Sequence, residues 1–362
     1  MPLGRGVDSY IAWGPQTAHG TKATPGNVQV NLRTGRIYTP QDFMMARESS
    51  GVIMPKRGQM WAAPKIVNWA VAFEWTTDLA SGSIVGTIQN LGTMLNAAMG
   101  HYLKSGVTPT VLRKLNFANP PIDGAADTAT DFYGRALTFE HVIKGCRAYD
   151  IHDAVITQLQ LVMEAGKPIR TEISGVGALF EDIAIGSAVA FSDLSGTLIT
   201  WQHLIGATTV SGFFAGTANP LTASDQLNCR KCVIKISPNL RVDPALGLPT
   251  GQQYKLPDRS SEPTIEATVD MDFEQGTTGW DAADAATAFA AATRTNFAAR
   301  AQVDASNIID FTATAAAASA PGLVVDPGID FGGSGVMGFS HTIRFYPEAP
   351  TTDVLFNITS DT

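Results

Sequence analysis

Residues 264–274 alternate between apolar and polar side chains without interruption. The apolar positions are Ile265, Ala267, Val269, Met271 and Phe273. The polar positions are Thr264, Glu266, Thr268, Asp270, Asp272 and Glu274. Because successive side chains of a β-strand point to opposite faces of a sheet, this pattern predicts a long strand with one buried and one solvated face. Sheets of that kind are usually antiparallel, so the segment favours an antiparallel β protein with a broad sheet.

Shorter segments with the same period predict further strands along most of the chain. They span 65–75, 137–144, 154–164, 168–174, 183–191, 197–204, 232–236, 341–346 and 353–359. In 154–164 the predicted apolar face comprises Val155, Thr157, Leu159, Leu161 and Met163. Ala165 and Gly166 follow directly, and a tight turn there predicts a β-hairpin with 168–174.

Two segments predict helices instead. The first is 83–100, whose apolar stripe at spacings of three and four is formed by Ile84, Ile88, Leu91, Leu95 and Met99 and closed by Gly100. The second is 281–300, which is rich in alanine, the residue with the highest helix propensity, with Asp281 or Asp284 near its start. The fold class predicted from these patterns is mostly antiparallel β with one or two helices.

The N-terminal residues 1–64 differ from the rest, because they are rich in Gly, Pro, Thr, Arg and Gln and contain only short apolar runs. They predict an extended arm followed by a long loop at 39–64, and such loops are usually functional or ordered by a partner. An arm that a neighbouring subunit orders and a simply flexible arm both fit this composition. Residues 65–362 form the predicted β domain, with an inserted or decorating segment around 175–230.

Composition excludes several classes of protein. With 44% apolar and 16% charged residues the chain has enough apolar side chains for a packed core. A net charge of −8 and the lack of a Lys/Arg-rich run argue against tight binding to nucleic acid, which depends on phosphate contacts. No signal peptide or membrane span is expected, and the odd number of cysteines, 3, favours folding in a reducing cytoplasm.

Motifs that would indicate an enzyme are incomplete. Gly175 and Gly177 lack the third glycine of a dinucleotide-binding loop, because Phe180 stands in its place. Ser334 lies among glycines, but Val336 interrupts the pattern of a nucleophile elbow. We therefore expect no enzymatic activity and no cofactor.

Two further pairs of residues have the spacing of candidate sites. Cys229 and Cys232 have the spacing of a metal or redox pair, but only Cys146 or a distant histidine would complete a zinc site, so structural cysteines are favoured. His152 and Asp153 resemble a catalytic pair without the third partner that acid–base catalysis needs. No metal site and no catalytic residue is predicted.

The acidic side chains of the long strand are the candidate functional residues. Glu266, Asp270, Asp272 and Glu274 share one face, where like charges would repel each other and stay hydrated. If identical subunits closed into a ring with this face inward, the channel wall would repel DNA phosphates and let DNA slide past. A solubilising outer face is the equal alternative.

Several segments resemble the tail tube proteins of long-tailed bacteriophages. The resemblance begins with the N-terminal stretches DSYIAWG and TAHGT, which include Tyr10, Trp13 and Gly14. It continues with a Trp-rich strand, a short helix that ends in Gly, and the stretch CRAY before a Leu-rich strand. The later stretch ISPNL, the strand after Glu262-Pro263 and the closing pair of strands are also similar. The resemblance is one of order and pattern over nearly the whole chain, which is longer than a minimal tube subunit.

This resemblance implies a β-sandwich or barrel subunit of tail-tube type, in rings that are expected to be hexameric. The rings would stack through an N-terminal arm, for which Tyr10, Trp13 and Gly14 are the assembly candidates, and through a long loop. The lumen would conduct DNA during ejection. Implied partners are further copies of the chain, tape-measure and terminator proteins, and DNA in transit. The implied location is the virion tail, assembled in the host cytoplasm, with no membrane partner.

Two other functions remain open from the sequence. A carbohydrate-binding or adhesion module would need exposed aromatic residues near Asn or Asp, and the tryptophans are scattered at positions typical of a core. A hydrolase would need one acidic residue of the long strand to have a raised pKa, and nothing in the sequence singles one out.

Overall fold

The computed structural model describes most of the predicted β domain and parts of the N-terminal region. The described residues are 9–16, 22–24, 30–38, 43–45, 60–62, 67–75, 94, 97–98, 100–105, 110–117, 136–143, 146–177, 179–184, 187–188, 198–204, 212–241, 258–259, 262–272, 279–302, 308–314, 320–330, 338–346 and 356–361. Within them the chain is mostly antiparallel β-sheet with a single assigned α-helix.

The strands are numbered in chain order. The first half contains β1 (Ser9–Pro15), β2 (Val30–Tyr38), β3 (Phe43–Met45), β4 (Met60–Ala62), β5 (Val67–Glu74), β6 (Gly100–Ser105), β7 (Thr110–Phe117), β8 (Leu137–Ile143), β9 (Arg147–Glu164), β10 (Arg170–Gly177) and β11 (Leu179–Ile183). The second half contains β12 (Gly212–Gly216), β13 (Gln226–Leu227), β14 (Cys229–Ser237), β15 (Leu240–Arg241), β16 (Asp258–Arg259), β17 (Thr264–Asp272), helix α1 (Ala282–Ala290), β18 (Arg294–Gln302), β19 (Ile308–Ala313), β20 (Gly322–Asp326), β21 (Ile329–Asp330), β22 (Gly338–Phe345) and β23 (Phe356–Asp361).

The main sheet is a run of antiparallel neighbours in the order β2–β5–β10–β9–β14–β17–β22–β20. β9 has 18 residues and takes part in two sheets, because its N-terminal half pairs with β8 and β11 and its C-terminal half with β10 and β14. The pairs β1–β2 and β1–β8 then close a ring of six hydrogen-bonded strands through β5, β10 and β9. β1 is thus an integral strand of the fold.

A second layer covers the inner face of the main sheet. Its strands run β13–β12–β18–β19–β23–β7–β6, and β18 also pairs with β20, which joins the two layers. The layers meet in one apolar core, where Trp75 lies 5.8 Å from Phe311 and Phe297 lies 5.7 Å from Phe345 between ring centroids. Within the segment 175–230, β12 belongs to this layer and Phe214 is fully buried.

The long alternating strand is confirmed as β17. It lies between β14 and β22, and its inward side chains Ile265, Ala267 and Val269 have no exposed surface. Met271 is 5% exposed, and residues 273–274 lie outside the described part. Predicted strands at 65–75, 137–144, 232–236, 341–346 and 353–359 are also found with shifted ends, as is the β9–β10 hairpin.

The predicted apolar face of the β9 hairpin strand is corrected by a bulge. The register shifts between Ser174 and Gly175, so Thr157 is left without a partner and the alternation changes sides. Ala154, Ile156, Leu159, Leu161 and Met163 therefore belong to the main apolar core. Thr157 is half-buried, and Val155 is fully buried but lies outside that cluster. A bulge adds one residue to one strand, which sequence alternation alone cannot locate.

The alanine-rich segment forms one short helix rather than a helix over 281–300. Asp281 is its N-cap and accepts hydrogen bonds from the backbone N–H groups of Ala283 and Asp284, as that residue type favours. The helix stops at Ala290, and Ala292 takes a positive φ of 49°. Residues Arg294–Gln302 then pair with strands on both sides, so sheet pairing overrides the helix propensity of alanine.

Two predicted strands are wrong. In the strand expected at 183–191, Ile183 is the last residue of β11 (Leu179–Ile183), and the described residues Ala184, Ser187 and Ala188 are not in a strand. Residues 185–186 and 189–191 lie outside the described part. In place of the strand at 197–204, Trp201–Leu204 form a 3-10 turn. The Nδ1 atom of His203 accepts a hydrogen bond from the N–H of Thr200, which stabilises the turn locally.

Most of the predicted helix at 83–100 lies outside the described residues. Met94, Ala97 and Ala98 are helical and buried, but none of them belongs to the predicted apolar stripe, and Gly100 begins β6.

Candidate functional site

The outward face of the main sheet carries polar side chains from several neighbouring strands, and we call it the polar face. Two rows of side chains cross it at right angles to the strands. The first charge row comprises Glu172, Gln160, Lys235, Glu266 and Arg344. The second charge row comprises Glu164, Lys231, Asp270 and Ser340. All of these side chains are half-buried.

The first charge row alternates in sign around Glu266. Glu266 lies opposite Lys235 on one neighbouring strand and Arg344 on the other. The Nε atom of Arg344 donates to Oε1 of Glu266 at 2.8 Å, and this hydrogen bond raises the pKa of Arg344. Charge-assisted contacts of this kind are stronger than neutral hydrogen bonds and restrict both side chains.

The second charge row is arranged in the same way around Asp270. Lys231 lies between Glu164 and Asp270, and Oγ of Ser340 donates to Oδ1 of Asp270 at 2.6 Å. Between the two rows, the hydroxyls of Thr268 and Thr342 are 3.1 Å apart. The polar face therefore carries neighbouring charges of opposite sign, the ion pair of Arg344 with Glu266, and hydrogen-bonded hydroxyls.

These contacts change the expected electrostatics of the long strand. The sequence suggested an acidic face, but Glu266 and Asp270 each have a basic residue in the adjacent register. The side chain of Asp272 and the whole of Glu274 lie outside the described residues. Of the four candidates for a lumen wall, the two with described side chains, Glu266 and Asp270, lie in a surface of mixed charge.

The three assembly candidates lie on β1. Tyr10 is 5% exposed and Trp13 is fully buried, where it stacks on Phe73 with ring centroids 5.9 Å apart. Gly14 pairs with Thr138 on β8. These residues pack in the core of their own chain. The sequence had predicted that they belong to an extended arm. Burial and proximity to Glu140 also raise the pKa of Tyr10.

A buried polar network lies where β1 ends against β8 and β9. Nε2 of Gln16 donates to Oδ1 of Asp153 at 2.7 Å, and the N–H of Asp153 donates back to Oε1 of Gln16 at 2.7 Å. Oγ1 of Thr138 donates to the same Oε1 at 3.3 Å. Asp153 has a positive φ of 46°, so this network stabilises a bend in β9.

The same network includes Asp153, which belongs to the candidate pair His152 and Asp153. Both are buried, at 6% and 7% exposure, and the carboxylate of Asp153 accepts from Gln16. Nε2 of His152 lies 3.7 Å from Oδ2 of Asp150, which also forms an ion pair with Lys22. The arrangement links the end of β1 to β8 and β9.

The cysteine pair belongs to β14. Cys232 is fully buried, Cys229 is half-buried, and no disulfide joins the three cysteines. Burial raises the pKa of Cys229 to about 12 and that of Cys232 well above its ordinary value, so both stay protonated thiols. Within the described residues, no group of three His, Cys, Asp or Glu side chains could hold a metal ion.

One buried titratable residue was not identified from the sequence. His341 is on the core side of β22, has no exposed surface, and stacks on Phe339 with centroids 5.5 Å apart. Neither ring nitrogen has a hydrogen-bond partner in the described part of the chain. Burial lowers the pKa of His341 to about 4, against a smaller opposing effect of Asp270. The sequence feature that could have identified His341 is its position in an alternating strand.

No family model matches the chain, and no curated protein matches its sequence. Among the helices that the structure describes, none has both the length and the apolar character that a membrane crossing requires.

Proposed function

We propose that the chain is a structural subunit of a phage tail tube. Copies of it assemble into stacked rings, expected to be hexamers, and DNA passes through their lumen during ejection. The observation that carries the proposal is the polar face, on which acidic and basic side chains alternate across neighbouring strands and Arg344 forms an ion pair with Glu266. The N-terminal and strand-order resemblance to tail tube proteins supports the same function.

The polar face suits a surface past which DNA slides. Tight DNA binding comes from Lys and Arg side chains that replace counterions at phosphates. On this face Arg344 already bonds to Glu266, and Lys231 and Lys235 lie beside carboxylates. A phosphate would have to compete with these carboxylates, so contact with DNA should be brief. In this proposal DNA passes because it binds the polar face only weakly. The sequence had suggested instead that an acidic face repels DNA.

Assembly in a ring would protect the edges of the sheets. Exposed edge strands offer unpaired N–H and C=O groups to other chains, and closed symmetry removes them. In the described part of the chain β6 pairs only with β7, and β13 only with β12. In this proposal the partners are further copies of the chain and, at the ends of the tube, tape-measure and terminator proteins of the virion.

Electron microscopy of the purified chain tests this function. Negatively stained protein at increasing concentration should show rings or tubes with a central channel. A variant with Val269→Asp, which buries a charge in the core, should lose both fold and assembly, whereas Thr268→Asp on the polar face should keep the fold. A wild-type chain that stays monomeric at every concentration would overturn the proposal.

A further inference from the structure

Three side chains with complementary chemistry meet where the segment after β1 lies against β8 and β9. The Nζ atom of Lys22 contacts Oδ2 of Asp150 on β9. Glu140 on β8 lies directly opposite Asp150 in the strand register. Side chains in that relationship have their Cβ atoms about 4.5–5.5 Å apart, so the two carboxylates are neighbours. An amine, the carboxyl group that it contacts and a second carboxylate thus share one site, separate from the polar face.

Both carboxylates are buried. Asp150 has no exposed surface, and Glu140 is 2% exposed. Apart from the contact with Lys22, neither carboxylate oxygen of Asp150 has a hydrogen-bond partner among the described residues. The Nε2 atom of His152 lies 3.7 Å from Oδ2, which is beyond hydrogen-bond distance. A buried charge is costly unless it is paired and hydrogen-bonded, so a reaction that removes the charge of Asp150 is favoured.

The amine of Lys22 is held in place through its own segment. The N–H of the next residue, Ala23, donates to Oγ1 of Thr138 at 3.0 Å. Thr138 is two residues from Glu140 on β8 and therefore on the same face of the strand. The side chain of Lys22 is 41% exposed, so its stem borders solvent while its amine reaches a fully buried carboxylate. Reacting groups held in contact in this way can reach effective concentrations of about 10⁵–10⁸ M.

We propose that Lys22 and Asp150 condense to an amide bond, an isopeptide crosslink within the folded chain. Glu140 takes a proton from the ammonium group of Lys22, and the free amine attacks Cγ of Asp150. The bond between Cγ and one carboxylate oxygen breaks. That oxygen leaves as water with the two protons that the nitrogen loses, one of them returned by Glu140. Nothing is oxidised or reduced, and Glu140 ends the reaction unchanged.

Burial distinguishes this ion pair from an ordinary one. Condensation replaces a buried carboxylate and the ammonium group beside it by one neutral amide, and water has little access to hydrolyse the product. The ion pair of Lys167 with Glu164 is the contrast, because its side chains are 47% and 27% exposed. Water solvates that pair, so it should remain ionic.

The crosslink would attach the segment that follows β1 to β9, far away in the sequence, by a covalent bond. It forms within one chain, so an isolated subunit would carry it whether or not rings assemble. The inference therefore goes beyond the tube function and does not depend on it.

Mass spectrometry of the full, denatured chain tests the crosslink. Lys22→Arg keeps the positive charge but lacks the reacting amine, so it serves as the uncrosslinked reference. After allowance for the substitution, the wild type should be lighter than this variant by the mass of one water molecule. A protease digest of the wild type should contain a branched peptide that joins Lys22 to Asp150. Lys167→Arg is the matched control at the exposed ion pair and should show the same loss of water as the wild type.

Variants of Glu140 test its role as the proton carrier. Glu140→Gln keeps both reacting groups but cannot take up the proton, so most of its chains should stay uncrosslinked. Glu140→Asp keeps a carboxylate and should restore crosslinking in part. Circular dichroism checks that each variant is folded.

Three results would overturn the crosslink. They are a wild-type chain that has lost no water, a loss of water that persists in Lys22→Arg, and a branched peptide that joins other residues. A Glu140→Gln variant that is crosslinked as fully as the wild type would overturn the role of Glu140. None of these results bears on ring assembly, so this proposal and the tube function fail independently.

Discussion

Gln16 and Asp153 are 137 residues apart in the chain and are joined by two hydrogen bonds of 2.7 Å. The amide of Gln16 serves both the carboxylate and the backbone N–H of Asp153, at the point where β9 bends with a φ of 46°. Gln16 is fully buried. This contact attaches the N-terminal strand to the central strand of the fold, so the first residues of the chain help to hold the main sheet in place.

Gln16→Ala should therefore destabilise the chain. It leaves the carboxylate and the N–H of Asp153 buried with fewer partners, which costs about 1–3 kcal/mol in the free energy of unfolding. Gln158→Ala, on the half-buried polar face, is the control and should cost under about 0.5 kcal/mol. Urea denaturation followed by tryptophan fluorescence measures both. Equal effects of the two variants would show that the network does not stabilise the bend.

Gly175→Ala should also be destabilising, for a steric reason. A Cβ at this position would lie 2.2 Å from the carbonyl oxygen of Val155 and 2.3 Å from the indole of Trp69, so the bulge and the core would have to shift. Overpacking of this kind costs about 1–3 kcal/mol. At Gly338 the nearest atom to a Cβ is 3.5 Å away, so Gly338→Ala should be tolerated. Thermal melting compares them, and a Gly175→Ala variant that melts at the wild-type temperature would contradict the packing described at the bulge.

His341 should make stability depend on pH. Its pKa is about 4 in the folded chain and 6.5 ordinarily, so between these values the unfolded chain binds more protons. The free energy of unfolding should fall as the pH drops through this window, by up to about 3 kcal/mol at its lower end. His341→Leu, which does not titrate, should lose this part of the pH dependence. Denaturant midpoints of the wild type and of His341→Leu at pH 7, 5.5 and about 4 measure this pH dependence. Identical pH profiles for the two proteins would contradict the lowered pKa of His341.

Glu266→Lys should turn the polar face into a DNA-binding surface. The substitution would place three cations side by side in the first charge row, with Lys235 and Arg344 on either side. Cations without carboxylate partners are free to bind phosphates, so the variant should bind duplex DNA at low salt and release it as salt is added. Glu266→Gln is the control for loss of the ion pair alone. Fluorescence anisotropy with labelled DNA measures the binding. If the wild type bound DNA as tightly as Glu266→Lys, the proposal that the polar face binds DNA only weakly would be contradicted.

Local alternation predicted much of this fold correctly. β17, β5 and the β9–β10 hairpin appear in the sequence as period-two patterns, because alternate side chains of each lie in the core. The failures arise where long-range pairing decides. The bulge at Thr157 reverses the faces of β9, and Arg294–Gln302 form a strand despite their alanines because β12 and β19 pair with them.

The charge of the polar face could not be predicted from one strand. Glu266 and Asp270 look like part of an acidic row in the sequence, but their neighbours in space come from elsewhere in the chain. Arg344 is 78 residues from Glu266 in sequence. The local pattern shows which side chains share a face, whereas the pairing order of the strands decides which charges meet.

A cryo-electron microscopy reconstruction of the assembled chain is the most direct test of the central claim. The account predicts a ring or tube in which the row containing Lys235, Glu266 and Arg344 lines the channel. An assembly with this row on its outer surface, or a protein that forms no ring, would contradict it.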